Sequence, residues 1–171
     1  MISIKTTIKD MGMKAAVKGL SDRLSRPRKP LKECGLVGLR SINKTFKAGG
    51  RPIRWKPSNR VKMTGGQTLV KSARLMRSVS MKTLSKSVQW FTNVKYAAIQ
   101  NLGGIIPART IVPRRAKALR WIGRDGHVRF AKKVKMPAIR IPAREFMVIQ
   151  DADQRVFGRI FGEYLATDSR R

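Results

Sequence analysis

The stretch Tyr96-Ala-Ala-Ile-Gln-Asn-Leu-Gly-Gly104 and the later stretch Ile141-Pro-Ala-Arg-Glu-Phe146 say most about how this chain folds. The first predicts a short helix that ends sharply at a glycine pair, because glycine readily adopts positive φ. The second places Arg144 at a fixed offset behind a proline whose φ is locked. Neither stretch contains a nucleophile, a general base or a cluster of metal ligands. Both therefore indicate the geometry of assembly rather than catalytic chemistry.

The charge of the chain points to an anionic partner. The 171 residues are 42% hydrophobic, enough for a folded core, yet they carry 39 Lys and Arg against 9 Asp and Glu, a formal net charge of +30. Between Glu33 and Asp125 there are 20 basic residues and no acidic one. These charges cannot be paired within their own segment, so neutralisation must come from nucleic acid, an acidic protein or an anionic membrane.

Several function classes are disfavoured by what the sequence contains. No stretch approaches the length of a membrane-spanning helix, and no signal peptide opens the chain. The one cysteine, Cys34, indicates a packing residue in a reducing compartment, and His127 is the only histidine. One Cys and one His argue against zinc sites and Cys/His or Ser/His catalysis. We therefore predict no enzymatic activity, no metal and no cofactor.

Hydrophobic periodicity predicts several helices, a strand and a β-hairpin along the chain. We expect residues 1–30 to form an N-terminal helix and a Pro-rich linker, and residues 31–171 to form the main domain. A buried stripe and a flanking Gly pair define the helix over 31–47, and Trp55 anchors the extended segment after it. The remaining predicted elements are helices over 4–25, 68–79 and 153–167, a strand over 87–94, and a loop over 58–67.

A β-hairpin is predicted from Leu119–Ile122 and His127–Ala131, which flank the turn sequence Gly123-Arg-Asp-Gly126. We expect one face of it to be apolar and the other basic. A lone two-stranded ribbon is marginally stable in water, so the apolar face needs a platform in the same domain or in a neighbouring subunit. The apolar face is expected to carry Leu119, Trp121, Val128 and Phe130, and the other Arg120, His127 and Arg129.

Six short motifs, taken in order, resemble a known family. They are Gly49-Gly-Arg-Pro-x-x-Trp55, Leu69-Val-x-Ser-Ala-Arg-Leu75, Tyr96-Ala-Ala-Ile-x-x-x-Gly-Gly104, Lys117-Ala-Leu-Arg-Trp121, Phe130-Ala-Lys-Lys-Val134 and Ile141-Pro-Ala-Arg-x-Phe146. The set looks like the virion morphogenesis, or tail completion, proteins of Mu-like tailed phages, over residues 31–165. The chain departs from the family at Gln100, Ala73 and Glu145, where members commonly have His, Gly and Pro.

The resemblance implies an α+β fold, in which an antiparallel sheet with packed helices carries a protruding β-hairpin. It also implies a structural subunit of the virion neck or tail end, made in the host cytoplasm and assembled into the virion. Such a protein forms a ring, expected to be a hexamer, that completes or terminates the tail and joins it to the head. Its implied partners are the neighbouring connector and tail-tube proteins, with double-stranded DNA in the channel and no membrane.

Two sets of residues are candidate contact sites. Subunit contacts are expected at the apolar hairpin residues and at three further positions. The alternatives are an internal core or a base-stacking platform for each Trp, and a solvated side chain for each Arg. The basic set is expected to dock on an acidic partner ring, with DNA phosphates or a merely solvated face as alternatives. The first set is Trp55, Leu119, Trp121, Val128, Phe130, Arg109 and Arg144; the second is Arg114, Arg115, Lys117, Arg120, Arg124, Arg129, Lys132, Lys133 and Lys135.

A different class of function remains open from the charge alone: a basic nucleic-acid-binding protein of ribosomal or nucleoid type. The sequence lacks an RNA-recognition aromatic motif, zinc-finger spacing and basic-zipper heptads. Light scattering separates the two hypotheses, since one predicts a ring and the other a monomer or dimer that binds free nucleic acid.

Overall fold

The computed structural model describes residues 13–123 and 125–166. It combines helices with small antiparallel sheets, which confirms the α+β class. The chain divides into two compact units: Lys95–Glu145 forms the second, and the chain on either side of it forms the first. The predicted boundary at residue 30 stays a prediction. In the described residues, no helix is both long and apolar enough to cross a membrane.

The elements of the first unit come from both ends of the chain, whereas those of the second are contiguous. The first unit contains α1 (Met13–Ser25), α2 (Arg28–Ala48), α3 (Asn59–Thr64), α4 (Arg74–Ser78), β1 (Ser80–Thr83), β2 (Val88–Phe91) and α6 (Asp151–Ala166). The second contains α5 (Ala97–Leu102), β3 (Gly104–Ile106), β4 (Arg109–Ile111), β5 (Leu119–Ile122), β6 (Val128–Ala131), β7 (Val134–Met136) and β8 (Ile139–Ile141).

Helix α2 organises the first unit. It packs against α6 and against the antiparallel pair β1–β2. A Cβ on Gly38 would overlap the indole of Trp90, so glycine here lets the strand pair approach the helix closely. The Trp90 Nε1–H donates to the Gly35 carbonyl at 2.9 Å, and its ring stacks on Phe157 of α6 at a centroid distance of 6.5 Å. One tryptophan thus joins α2, β2 and α6.

An aromatic cluster forms the core at the C-terminal end of α2. Phe46 is fully buried and meets Trp55 edge-on at 5.7 Å between ring centroids, and Phe146 at 5.0 Å. The helix ends at Ala48, before the predicted Gly49 stop, and this turn brings the Trp55 segment back onto Phe46. The predicted anchor role of Trp55 is confirmed, and its place is inside the subunit.

A polar network ties the same helix to the start of α6. The Asp153 carboxylate accepts hydrogen bonds from the Ser41 hydroxyl and from the Gln150 N–H, the latter at 2.9 Å. Arg51 donates to the Ser41 carbonyl and hydroxyl at 2.7 and 2.8 Å. Asp151 and Asp153 lie in the first turn of α6, where the helix dipole favours carboxylates.

Three predictions for this unit were wrong in detail. The predicted loop over 58–67 contains α3, whose first turn is capped by the Ser58 hydroxyl accepting from the Val61 N–H. The predicted helix over 68–79 shortens to α4, because Leu69 and Ala73 adopt positive φ. The residues between the predicted helix and the predicted strand over 87–94, for which no element was predicted, contain β1. These elements are only four to six residues long, so local periodicity does not reveal them. Residues 4–12 of the predicted first helix lie outside the described residues.

The strands of the second unit pair as one long antiparallel ribbon. Gly104–Ile106 pairs with Ile139–Ile141, and Arg109–Ile111 pairs with Val134–Met136 in the same register. Prolines 107 and 137 separate these two ladders, because proline has no N–H to donate. Between the Arg109–Ile111 ladder and the tip, seven residues of the outgoing strand, 112–118, are not part of any ladder. The returning strand has only two such residues, 132 and 133. The outgoing strand therefore bulges in mid-ribbon.

Candidate assembly surfaces

The tip of the ribbon confirms the predicted hairpin but not its predicted faces. Ile122 pairs with Val128 and Trp121 pairs with Arg129, so each of these pairs shares a face. Beyond the two strands, the Gly123 N–H donates to the His127 carbonyl at 2.8 Å. The loop that remains, residues 124–126, is one residue longer than a two-residue turn, and Gly126 takes φ 79° within it. That extra residue shifts the register by one, which exchanges the faces of one strand relative to the other.

The corrected register leaves one strongly apolar, exposed face at the tip. Ile122, Val128 and Phe130 share this face with Arg120, and their side chains are 63%, 44% and 66% exposed. We call these three apolar residues the tip face. Trp121 lies on the opposite face with Arg129 and the half-buried Leu119. The predicted apolar face was therefore wrong in part: Val128 and Phe130 share a face, but Leu119 and Trp121 lie opposite them. Ile122, which was not predicted on that face, and Arg120 take their places.

Most of the predicted basic set lies along the ribbon. Arg114, Arg115 and Lys117 are exposed in the mid-ribbon bulge, opposite the exposed Lys132 and Lys133. We call these five residues the ribbon cations. Arg120 and Arg129 face opposite sides of the ribbon, and Lys135 is exposed on β7. Arg124 lies outside the described residues. The set is therefore a belt around a ribbon rather than a single face.

At the tip, one acidic residue, Asp125, neutralises part of the positive charge of the ribbon. The Asp125 carboxylate accepts a hydrogen bond from Arg129 at 2.7 Å and another from the His127 N–H at 3.2 Å. The Arg129 guanidinium, and then the His127 N–H, lower the pKa of Asp125 below its usual value. This fully exposed pair orders the loop, and its contribution to stability is small because solvent screens it.

The two Ile-Pro-Ala-Arg copies have different environments. Arg144 is buried: its N–H donates to the Gln100 carbonyl at 2.9 Å, and its Nη1 donates to the Gln100 side-chain oxygen at 3.1 Å. Burial lowers the pKa of Arg144, although a guanidinium stays charged at any physiological pH. Arg109 is exposed on β4. Arg144 and Trp55 thus make contacts inside the subunit, where the prediction placed them between subunits.

A second basic surface lies in the first unit, and sequence reasoning missed it. A groove of about 820 Å³ is lined by basic side chains from three places: the α1–α2 junction, the first turns of α2, and strand β1. The lining residues are Arg26, Arg28, Lys29, Lys32, Met81, Lys82 and Thr83. No acidic residue is among them. The signal in the sequence was the basic run around residues 26–32, but β1, which completes the groove, was not predicted.

Across residues 13–123 and 125–166, no group of three or more His, Cys, Asp and Glu is placed to hold a metal ion. Cys34 is buried on α2, and burial, followed by the nearby Glu33 charge, raises the pKa of its thiol. A raised pKa disfavours the thiolate, which is the reactive form. The packing role predicted for Cys34 agrees with this environment.

Comparison with known protein families identifies the family to which the chain belongs. A family model described as the phage virion morphogenesis family matches residues 8–166, nearly the whole length. The chain belongs to this family. Membership gives it a role in the structure or assembly of a phage virion. No curated protein and no solved structure matches the chain.

Two departures from the common pattern of the phage virion morphogenesis family now have structural settings. Ala73, where members commonly have glycine, precedes α4 with φ 55° and ψ 7°, a left-handed conformation that glycine adopts without strain. Gln100, where members commonly have histidine, is the partner of the buried Arg144. The third departure, Glu145, is exposed.

Proposed function

We propose that this protein is a ring subunit at the neck or tail end of a tailed phage, where it completes the tail and joins it to the head. The family match over residues 8–166 carries this proposal. The ring is expected to be a hexamer that contacts connector and tail-tube proteins. Its role is structural and requires no catalysis, so a purified preparation should show neither nuclease nor ATPase activity.

The tip face supports contact with a second copy of the chain. A two-stranded ribbon is marginal by itself in water, and this one leaves Ile122, Val128 and Phe130 exposed together. Contiguous exposed apolar residues rimmed by charge are typical of protein–protein contact sites. In a ring, the tip face would be covered by the neighbouring subunit, which would also stabilise the ribbon.

The ribbon cations support contact with acidic neighbouring rings. Within the described part of the second unit, Asp125 and Glu145 are the acidic residues, and Asp125 is bound to Arg129. The five ribbon cations lie exposed where the ladder is interrupted. Complementary charge across an interface speeds docking and fixes its orientation. A channel lined by such cations would instead hold passing DNA strongly at modest salt, so we favour the acidic partner.

The alternative function, binding of nucleic acid by a free protein, keeps one supporting observation: the exposed basic residues greatly outnumber the acidic ones. It predicts a monomer or dimer that binds duplex DNA with a steep salt dependence. Light scattering with and without DNA separates the two functions.

Deletion of the gene tests the proposal in the phage. Electron microscopy of the lysate should show DNA-filled heads beside unattached tails, and complementation from a plasmid should restore joined particles. Joined, infectious particles without the gene would refute a joining role. Heads that contain no DNA would indicate a packaging role instead.

A further inference from the structure

The basic groove of the first unit has an open strand edge as one wall. Strand β1 pairs with β2 on one side only, and Met81, Lys82 and Thr83 of β1 all line the groove. The Leu84 N–H donates to the Ser87 carbonyl at 2.8 Å at the turn of this hairpin. Because hydrogen-bonded and non-hydrogen-bonded pairs alternate along an antiparallel ladder, the Met81–Trp90 and Thr83–Val88 pairs are the non-hydrogen-bonded ones.

The backbone groups of Met81 and Thr83 therefore point away from β2, toward the groove side of the strand. In the part of the chain that the structure describes, no hydrogen bond to these N–H and C=O groups is found. They are spaced two residues apart, which is the spacing at which an added antiparallel or parallel strand makes its bonds. Exposed edges of this kind are sites of strand addition.

The basic residues around this edge favour an added strand that carries acidic side chains. Arg26, Arg28, Lys29, Lys32 and Lys82 surround the groove, and none forms an ion pair with a described residue. Met81 and the aliphatic stems of the long cations supply apolar surface between the charges. We propose that this groove binds an extended acidic segment of another protein, which adds to β1 as a strand with its carboxylates on the cations.

The backbone edge distinguishes this ligand from the other anions. A phosphate backbone offers acceptors only, so it could satisfy the free N–H groups but would leave the free carbonyls of Met81 and Thr83 without donors. A peptide backbone offers both. A second copy of this chain is disfavoured because its own groove would bring five more cations to the contact. This surface is not the one used by the proposed ring contact.

The test uses the full chain and an eight-residue labelled peptide of alternating Glu and Val, with binding followed by fluorescence anisotropy. A peptide of alternating Glu and Pro has the same charge but cannot pair as a strand. The Lys29→Glu, Lys82→Glu double variant reverses two groove charges. Lys44→Glu, Lys71→Glu is the matched control, since both lysines lie outside the groove lining. Thr83→Pro removes an outward N–H without changing charge or the β1–β2 bonds.

We expect the Glu-Val peptide to bind and the Glu-Pro peptide to bind at least about tenfold more weakly. The groove reversal and Thr83→Pro should each weaken binding about tenfold, the effect of losing about 1.4 kcal/mol of charged or backbone hydrogen bonding. The control reversal should change it less than about twofold, since surface charges away from a contact contribute little. In the unaltered protein, bound peptide should protect the Met81 and Thr83 amides from hydrogen exchange, which holds even if Thr83→Pro fails to fold.

Four results would overturn the inference. The first is no binding of the Glu-Val peptide at low salt, and the second is equal binding of the two peptides. The third is unchanged exchange at the Met81 and Thr83 amides on saturation. The fourth is displacement of the peptide by a single-stranded oligonucleotide whose own affinity is insensitive to Thr83→Pro. That last outcome would make the groove a nucleic-acid site.

Discussion

Single residues fix how closely the elements of the first unit approach. Gly38 of α2 leaves the space that the Trp90 indole occupies, whereas a Cβ added to Gly158 of α6 would meet no atom from outside its own stretch of helix within 4 Å. The same change of glycine to alanine should therefore have opposite effects at the two sites. Only the first site couples a helix to a strand.

Gly38→Ala should destabilise the protein by about 1–3 kcal/mol, because the added methyl forces Trp90 out of its place. The matched Gly158→Ala should stabilise it by up to about 1 kcal/mol through helix propensity. Urea unfolding with thiol labelling of the buried Cys34 measures both. Equal effects of the two changes would contradict the packing of Trp90 against α2.

Ala73→Gly should stabilise the protein by about 0.5–1 kcal/mol. A left-handed conformation costs an alanine about 1–2 kcal/mol, and the extra freedom of glycine in the unfolded chain offsets only part of that gain. The control Ala16→Gly, at an exposed position of α1, should destabilise by about 0.5–1 kcal/mol. Thermal unfolding compares the two. Destabilisation by Ala73→Gly would show that residue 73 is not left-handed.

The two arginines that follow Ile-Pro-Ala provide a further matched pair. Arg144→Ala should cost about 1.5–3 kcal/mol, because it removes a charged hydrogen bond and leaves the Gln100 oxygen without its donor. Arg109→Ala, at an exposed site, should change stability by less than about 0.5 kcal/mol. Urea denaturation distinguishes the two. Similar costs for both variants would mean that Arg144 is not held by Gln100.

At the scale of elements, the ribbon tip and not the helical core is expected to drive self-association. Phe130→Ala should leave the melting temperature of the subunit nearly unchanged, since the side chain is exposed, but should weaken assembly by about 2–4 kcal/mol if Phe130 is a buried anchor in the assembled ring. Trp121→Ala tests the opposite face of the ribbon. Ile53→Ala is the control, because Ile53 is also strongly exposed but lies in the first unit. Light scattering reports assembly, and a normal oligomer for Phe130→Ala would exclude the tip face.

Element by element, the sequence predicted what long periodic patterns encode. The helix α2 with its buried stripe, the C-terminal helix α6 and the short helix α5 before Gly103 were all predicted. Strand β1 and helix α3 were missed, because four and six residues carry too little periodicity to be recognised. The register of the ribbon tip was predicted wrongly, because one additional residue in the loop shifts it. The groove was not predicted, because one of its walls is β1, which lies some fifty residues from the cations of α2.

At the scale of the molecule, a net charge of +30 must be neutralised by something other than the chain itself. The structure distributes the cations over a ribbon in one unit and a groove in the other. Like charges across a desolvated interface cost several kcal/mol, whereas losing two phosphate contacts lowers affinity and reduces the salt slope by about two. Reversal of ribbon charges therefore separates an acidic protein partner from DNA.

The most direct test of the head–tail joining role is electron microscopy of lysates from a phage that carries Lys132→Glu and Lys133→Glu, two of the ribbon cations. Lys44→Glu with Lys71→Glu, the same change of charge at two sites of the first unit, is the control. We expect the ribbon variant to accumulate DNA-filled heads beside unattached tails, and the control to give joined particles. Joined particles that lose their DNA early in the ribbon variant would contradict docking on an acidic ring and show that the ribbon holds DNA.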